Sequence, residues 1–314
     1  ANRRLERTGS DRSILNDSEE KYRKSEYDAL LSEGGGDNQD FFVTREKISS
    51  YSREVSQFFK SISLVHKLRE TRALVGFSRL LPDNGLLPEE KKRELYSDDG
   101  INWLPAIVVR GEGIFLEFDT EAITRWEIRP DIQYRLRKLL DNFKKVREHR
   151  GQPARNMSPR FILIHTFAHL LINQLSYECG YGSSSIRERI YCNLEDPEAT
   201  MNGLLIYTAS GDSEGSMGGL VLQGEPGHLD NILRAAIIGA EWCSSDPVCI
   251  ENNGQGPDSY NLAACHSCAL LPETSCEEGN RLLDRATIIG SPNNPDMGYF
   301  VIPSDSNGLS TSLS

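Results

Sequence analysis

The sequence has 314 residues, 38% of them hydrophobic and 26% charged, with a net charge of −11. That length suits one large domain or two ordinary ones, and the acidic balance excludes indiscriminate whole-surface binding of nucleic acid. No apolar run approaches the roughly 20 residues that span a bilayer; the longest candidate, Phe161–Ile172, is broken by His165, Thr166 and His169.

Residues 1–60 are polar and mixed in charge, with helices expected over Ser18–Leu31 and Thr44–Leu68 around the stretch Ser32-Glu-Gly-Gly-Gly-Asp. A polar linker is expected over Pro82–Gly100. Two apolar runs, Trp103–Arg110 and Ile114–Phe118, flank Gly-Glu-Gly and predict a β-hairpin. A basic helix follows, apolar at Leu136, Leu139, Leu140, Phe143 and Val146. Between Arg135 and Arg160 nine basic residues face only Asp141 and Glu148, so this stretch carries +7 and the remainder −18. Such a stripe can bind a phosphate backbone locally, and Arg135, Arg137, Lys138, Lys144, Lys145, Arg147 and Arg150 are the candidate DNA contacts. The plain alternative is a solvated helix face.

Pro159 opens a helix over Phe161–Leu175 that is apolar nearly all round, hence central. Strands are expected at Arg189–Asn193 and Gly203–Ala209, then a glycine-rich loop over Ser210–Gly219 that continues strand-like. Helices are expected at His228–Trp242 and Gly279–Ile288, and the Ser/Asn/Gly-rich tail from Ser304 predicts disorder. The fold class is α+β, a mixed helix and sheet C-terminal domain after a largely helical N-terminal region. The expected division is 1–100 (helical, partner-facing, with linker), 101–158 (hairpin and basic helix), 159–303 (C-terminal domain) and 304–314 (tail). The polar first residues, beginning at Ala1, lead us to expect no secretory signal, a cytoplasmic location and no membrane partner.

Seven cysteines are odd in number and too sparse for a disulfide scaffold, yet five fall within 34 positions near the C-terminus. Cys265-His-Ser-Cys268 lets one short turn supply two thiolates to a zinc tetrahedron, and Cys276 follows after the Pro272 turn. The fourth ligand must come from upstream, from Cys249 or from Cys243. Four thiolates leave no open position for water, so such a Zn2+ is structural. Other motifs carry less. His165-Thr-Phe-Ala-His169 has the spacing of a zinc protease but Thr166 where the general base belongs, so buried, hydrogen-bonded histidines are the reading. Gly211-Asp-Ser213-Glu-Gly215 follows a strand but does not run straight into a helix, as a nucleophile elbow must. A hydrolase using Ser213 or the His165/His169 pair therefore stands as a minor alternative. No Gly-x-x-x-x-Gly-Lys-Ser/Thr loop occurs in the sequence, and no catalytic residue is assigned.

The segment ACHSCALLPETSCEEGNRLLDR, with Asn280 and Leu283-Asp284-Arg285 at its end, resembles the signature of the MrfA-associated zinc-binding domain. LIHTFAHLLI and LLIYTASGDSEGSMGGL match its other marks. LRETRALVGFSR, WLPA and GEGIF extend the resemblance to the DrmB proteins of DISARM anti-phage systems, over about Val65–Arg285. Chains of that kind are longer, so a fragment is expected. The resemblance implies a zinc-binding subunit that associates with the SNF2-like helicase DrmA and assists binding of foreign DNA, the motor lying on the other chain. The C-terminal part of an MrfA-type repair helicase is the alternative within the same resemblance.

Overall fold

The computed structural model describes residues 10–34, 40–74, 103–151, 155–193, 200–208 and 219–300. Its centre is a five-stranded antiparallel sheet of β1 (Phe42–Glu46), β2 (Phe59–Ala73), β3 (Ala106–Phe118), β4 (Ile186–Asn193) and β5 (Met201–Thr208). The strand order is β1-β2-β3-β5-β4. Helices α1 (Ser10–Leu31), α2 (Arg53–Ser56), α3 (Thr120–Glu127), α4 (Pro130–His149), α5 (Pro159–Cys179), α6 (Gly219–Gly224), α7 (His228–Ala240) and α8 (Ala286–Ile289) surround it. The class is α+β, as expected.

Both faces of the sheet are covered, and the period-2 alternation of the strands sorts side chains between them. Ile62, Ile114, Leu116, Phe118, Ile190, Leu204 and Ile206 join the large core under α5. Val65, Phe115, Tyr191, Leu205 and Tyr207 form a second cluster with Tyr27 and Leu30 of α1. Helix α5 runs through the centre because its ends are well terminated and its faces are apolar. Ser158 Oγ accepts from the Phe161 N–H at 3.2 Å, Pro159 occupies the first turn, and Gly180 takes a left-handed φ of 69° at the C-terminus. From Pro159 to Ile172 every residue is buried. Arg160 at its start is 2% exposed and donates Nε to Glu127 of α3 at 3.1 Å, so this member of the basic stripe is internal.

Several expectations are corrected. Thr44–Leu68 is not a helix but β1, a one-turn α2 and most of β2; its Ile48, Tyr51 and Val55 mimic helical spacing, yet Phe59–Ala73 alternates along a strand. The N-terminal region thus supplies two of the five strands. Nor is there a hairpin at Gly111-Glu-Gly113, because β3 runs straight through it. A Cβ on Gly111 would lie 2.0 Å from the Thr208 carbonyl oxygen, and one on Gly113 2.7 Å from that of Ile206. The glycines serve close backbone approach to β5, not a turn. Finally, Gly279–Ile288 is helical only from Ala286, since Asn280 and Leu282 hold φ of 60° and 64°.

The segment after the glycine-rich loop, expected to be strand-like, is the short helix α6. Ser213 and its loop, the linker Pro82–Gly100 and the tail from Ser304 lie outside the described residues. The strands that build the sheet come from all three of the expected segments 1–100, 101–158 and 159–303. Among the described residues, no helix is long and apolar enough to cross a membrane.

Candidate metal centre

Two segments after α7 bring four thiols together. Cys243 and Cys249 flank a turn at the end of α7; Cys265 and Cys268 flank a second, closed by the Cys268 N–H donating to the Cys265 carbonyl at 3.1 Å. Cys243 Sγ lies 3.5 Å from Cys265 Sγ, Cys249 Sγ 3.8 Å from Cys268 Sγ, and Cys265 Sγ 3.7 Å from Cys268 Sγ. Four thiolates around zinc at about 2.3 Å stand roughly 3.8 Å apart, and a disulfide needs about 2.05 Å. The separations are those of a metal tetrahedron, and all seven cysteines are free thiols.

Hydrogen-bond donors face three of the four sulfurs. Backbone N–H groups of Ser245 and Cys265 point at Cys243 Sγ (3.4 Å) and Cys268 Sγ (3.3 Å), and Gln255 Nε2 at Cys249 Sγ (3.6 Å). Burial pushes the Cys249 thiol up to about 11 and Cys268 higher still. Burial acts the same way on Cys265, but the Ser267 N–H and the neighbouring thiols outweigh it and bring it to about 7. Protons therefore stay on part of the set unless a cation displaces them, which is what zinc does.

Both upstream cysteines belong to this cluster, and Cys276 does not. The cluster thus differs from the expected set of Cys249, Cys265, Cys268 and Cys276, with Cys243 as the alternative fourth ligand: Cys243 and Cys249 both stand in it. The reason is geometric: the Pro272–Ser275 turn carries Cys276 back toward α5, where its Sγ lies 3.1 Å from His165 Nε2. A second group results, made of His165, His169, Glu188 and Cys276, each offering a ligand atom within 4.8 Å of the others. Glu188 escaped sequence reasoning. The signal was there, since in Ile186-Arg-Glu-Arg-Ile190 the glutamate shares the inward parity of the two isoleucines. Thr166, which stands where a protease would carry its base, donates to the Ile162 carbonyl and accepts from the Asp284 N–H at 2.9 Å.

The Leu283-Asp284-Arg285 segment anchors the four-thiol cluster. Arg285 Nη2 donates to both Asp246 carboxylate oxygens, at 2.6 and 2.8 Å, and Nη1 to the Ala240 carbonyl. Asp246 in turn accepts from the N–H groups of Cys243 and Ile250. Asp284, fully buried, receives Arg135 of α4 at 2.6 and 2.9 Å. Arg135 is therefore an internal strut. Arg150 pairs with Asp258 at 2.7 Å, and Arg147 lies over the Phe143 ring. Arg137, Lys138, Lys144 and Lys145 share the exposed face of α4 with Tyr134, Asp141 and Glu148.

Residues 167–269 match the family described as MZB, the MrfA Zn-binding domain. The matched stretch contains Cys243, Cys249, Cys265 and Cys268 and stops short of Cys276, in agreement with the geometry. A DISARM protein DrmB of Bacillus paralicheniformis is 37% identical over 289 residues, covering 87% of this chain and 49% of the relative. The chain spans about half the length of that curated relative. It carries an MrfA Zn-binding domain with a four-cysteine site for one structural Zn2+, and along most of its length it is similar to a DISARM protein DrmB.

Proposed function

We propose that this chain is a non-catalytic, zinc-stabilised part of a cytoplasmic DISARM anti-phage complex that works beside an SNF2-like helicase, DrmA, in binding foreign DNA. The observation that carries this reading is the closed four-thiolate centre in a chain so similar to DrmB. Cys243, Cys249, Cys265 and Cys268 are the ligands. Four protein donors leave no position for substrate or water, so the metal holds shape and performs no chemistry. The absence of a phosphate-cradling loop from the sequence agrees with ATP turnover residing on a partner.

The DNA contact in this reading is the outer face of α4. Arg137, Lys138, Lys144 and Lys145 are exposed there beside the 80% exposed Tyr134, while the buried face of the same helix (Ile132, Leu136, Leu139, Phe143) fastens it to the core. The test is co-purification of the chain with an SNF2-like helicase, followed by DNA binding and ATP turnover measured for each alone and together. Joint elution with turnover confined to the helicase is expected. Failure to associate, or ATP turnover by this chain alone, overturns the reading.

A further inference from the structure

The buried group beside the four-thiol cluster has no part in the function proposed above and does not depend on it. His165 and His169 stand one turn apart on α5, Glu188 projects from β4, and Cys276 comes from the loop after Pro272. The first three are at most 2% exposed and Cys276 is 9% exposed. His165 Nε2 is 3.1 Å from both Glu188 Oε1 and Cys276 Sγ, and His169 Nε2 is 3.7 Å from Glu188 Oε2. Zinc tetrahedra with N, O and S donors have edges of roughly 3.3–3.6 Å, so these separations fit to a few tenths of an ångström.

The hydrogen bonds around the group orient its donor atoms. His169 Nδ1 faces the Ala269 carbonyl oxygen at 2.7 Å, so Nδ1 carries the proton. In the neutral ring, Nε2 then aims a lone pair at the Glu188 carboxylate. Both His169 Nε2 and Glu188 Oε2 are buried without a hydrogen-bond partner. Around them, the Glu277 N–H supports Glu188 Oε1 at 3.1 Å and the Asn280 N–H supports Cys276 Sγ at 3.2 Å, contacts that favour the anionic forms. The four donor atoms lie within 4.8 Å of one another, and an isolated buried charge is costly unless compensated. A divalent cation neutralises one carboxylate and one thiolate completely.

We propose that His165, His169, Glu188 and Cys276 hold a second zinc ion in a closed structural site that ties α5 to β4 and to the C-terminal loop. The mixed donor set suits zinc over the oxygen-seeking cations. Glu188 and Cys276 also line a cavity of about 880 Å3, which gives the ion a way in. The two sites share a wall: Ala269, which fixes the His169 ring, directly follows Cys268 of the first cluster.

The test is metal analysis of the full chain after exposure to zinc and removal of loosely held ions. Two equivalents per chain are expected, and one equivalent overturns the proposal in favour of a cluster held by protons alone. Cys276→Ala and His169→Gln should each lower the count from two to one while the four-thiolate zinc remains; an unchanged count of two places the second ion elsewhere and overturns it equally. Should those variants fail to fold, X-ray absorption at the zinc edge of the unaltered chain decides. An average shell of about 2.5 sulfur and 1.5 nitrogen or oxygen neighbours is expected from two such sites, and an all-sulfur shell overturns the proposal.

Discussion

Arg285 and Asp246 form a two-pronged ion pair, at 2.6 and 2.8 Å, that ties the segment after the last cysteine to the turn between Cys243 and Cys249. The guanidinium is fully buried and the carboxylate largely so. Removing one partner of such a pair strands a buried charge, at a cost of about 3–5 kcal/mol. Asp246→Ala should lower the melting temperature accordingly and speed zinc loss to a chelator. Neither residue is a ligand, so the zinc content before chelation should be unchanged. A variant with unaltered melting and release rate would show that the pair does not support the centre.

Cys243→Ser should abolish the four-thiolate site, whereas Cys179→Ser and Cys192→Ser should leave it intact. Structural zinc contributes on the order of 10 kcal/mol to folding, so loss of helical signal and early melting of the C-terminal region are expected for the first variant only. Cobalt substitution provides the readout, through the thiolate-to-metal absorption of the four-sulfur site. Full intensity in Cys243→Ser would return Cys276 to candidacy.

Asp230 offers a pH test away from the metals. Its carboxylate accepts from the backbone N–H groups of Ser52 and Gly227, each at 2.7 Å, linking the starts of α2 and α7. Burial pushes its pKa up, but these hydrogen bonds outweigh burial and hold it below the ordinary value of 3.8. A depressed folded-state pKa means stability that is present above 3.8 and lost as pH falls from there through the folded value. Asp230→Asn should destabilise the chain at neutral pH by roughly 1 kcal/mol, and the gap to the parent should narrow below about pH 4. Melting curves from pH 3 to 7 check this; a constant gap contradicts it.

Mutation can tell the internally paired members of the basic stripe from those proposed to contact DNA. Reversing Lys144 and Lys145 to glutamate should weaken DNA binding by the complex about equally for all sequences. The salt slope should fall by about 0.9 for every phosphate that is no longer neutralised. Arg135→Ala should leave the slope alone and lower stability by about 3 kcal/mol, because Asp284 is then left buried and unpaired. Anisotropy titrations at several salt concentrations, alongside melting curves, distinguish the two. A slope unaffected by the double reversal would leave α4 as a solvated face.

Gly113→Ala tests the close approach of β3 to β5. Its Cβ would come within 2.7 Å of the Ile206 carbonyl, so the strands must part and the chain should melt several degrees lower. The same substitution at Gly239, where a Cβ meets nothing within 4 Å, should be neutral or stabilising.

What the sequence determined by itself was local and chemical. Pro159 marked the start of α5, the strands expected at Arg189–Asn193 and Gly203–Ala209 overlap β4 and β5, and cysteine spacing announced a closed zinc site. Where a short pattern supported two periods, tertiary structure decided. Thr44–Leu68 was expected to be helical, but β2 completes the sheet by pairing with β3 over most of its length. Gly111 and Gly113 suggested a turn, and only the packing of β5 against them shows a straight strand. The site divided in the same way. Spacing along the chain favoured Cys276 because it is near Cys268 in sequence, whereas metal ligation depends on proximity in space. The turn at Pro272 sends that thiol to His165, and Glu188, more than 80 residues upstream, meets it there. No sequence period links a helix pair, one strand glutamate and a loop cysteine. Their meeting is a property of how α5 lies on the sheet.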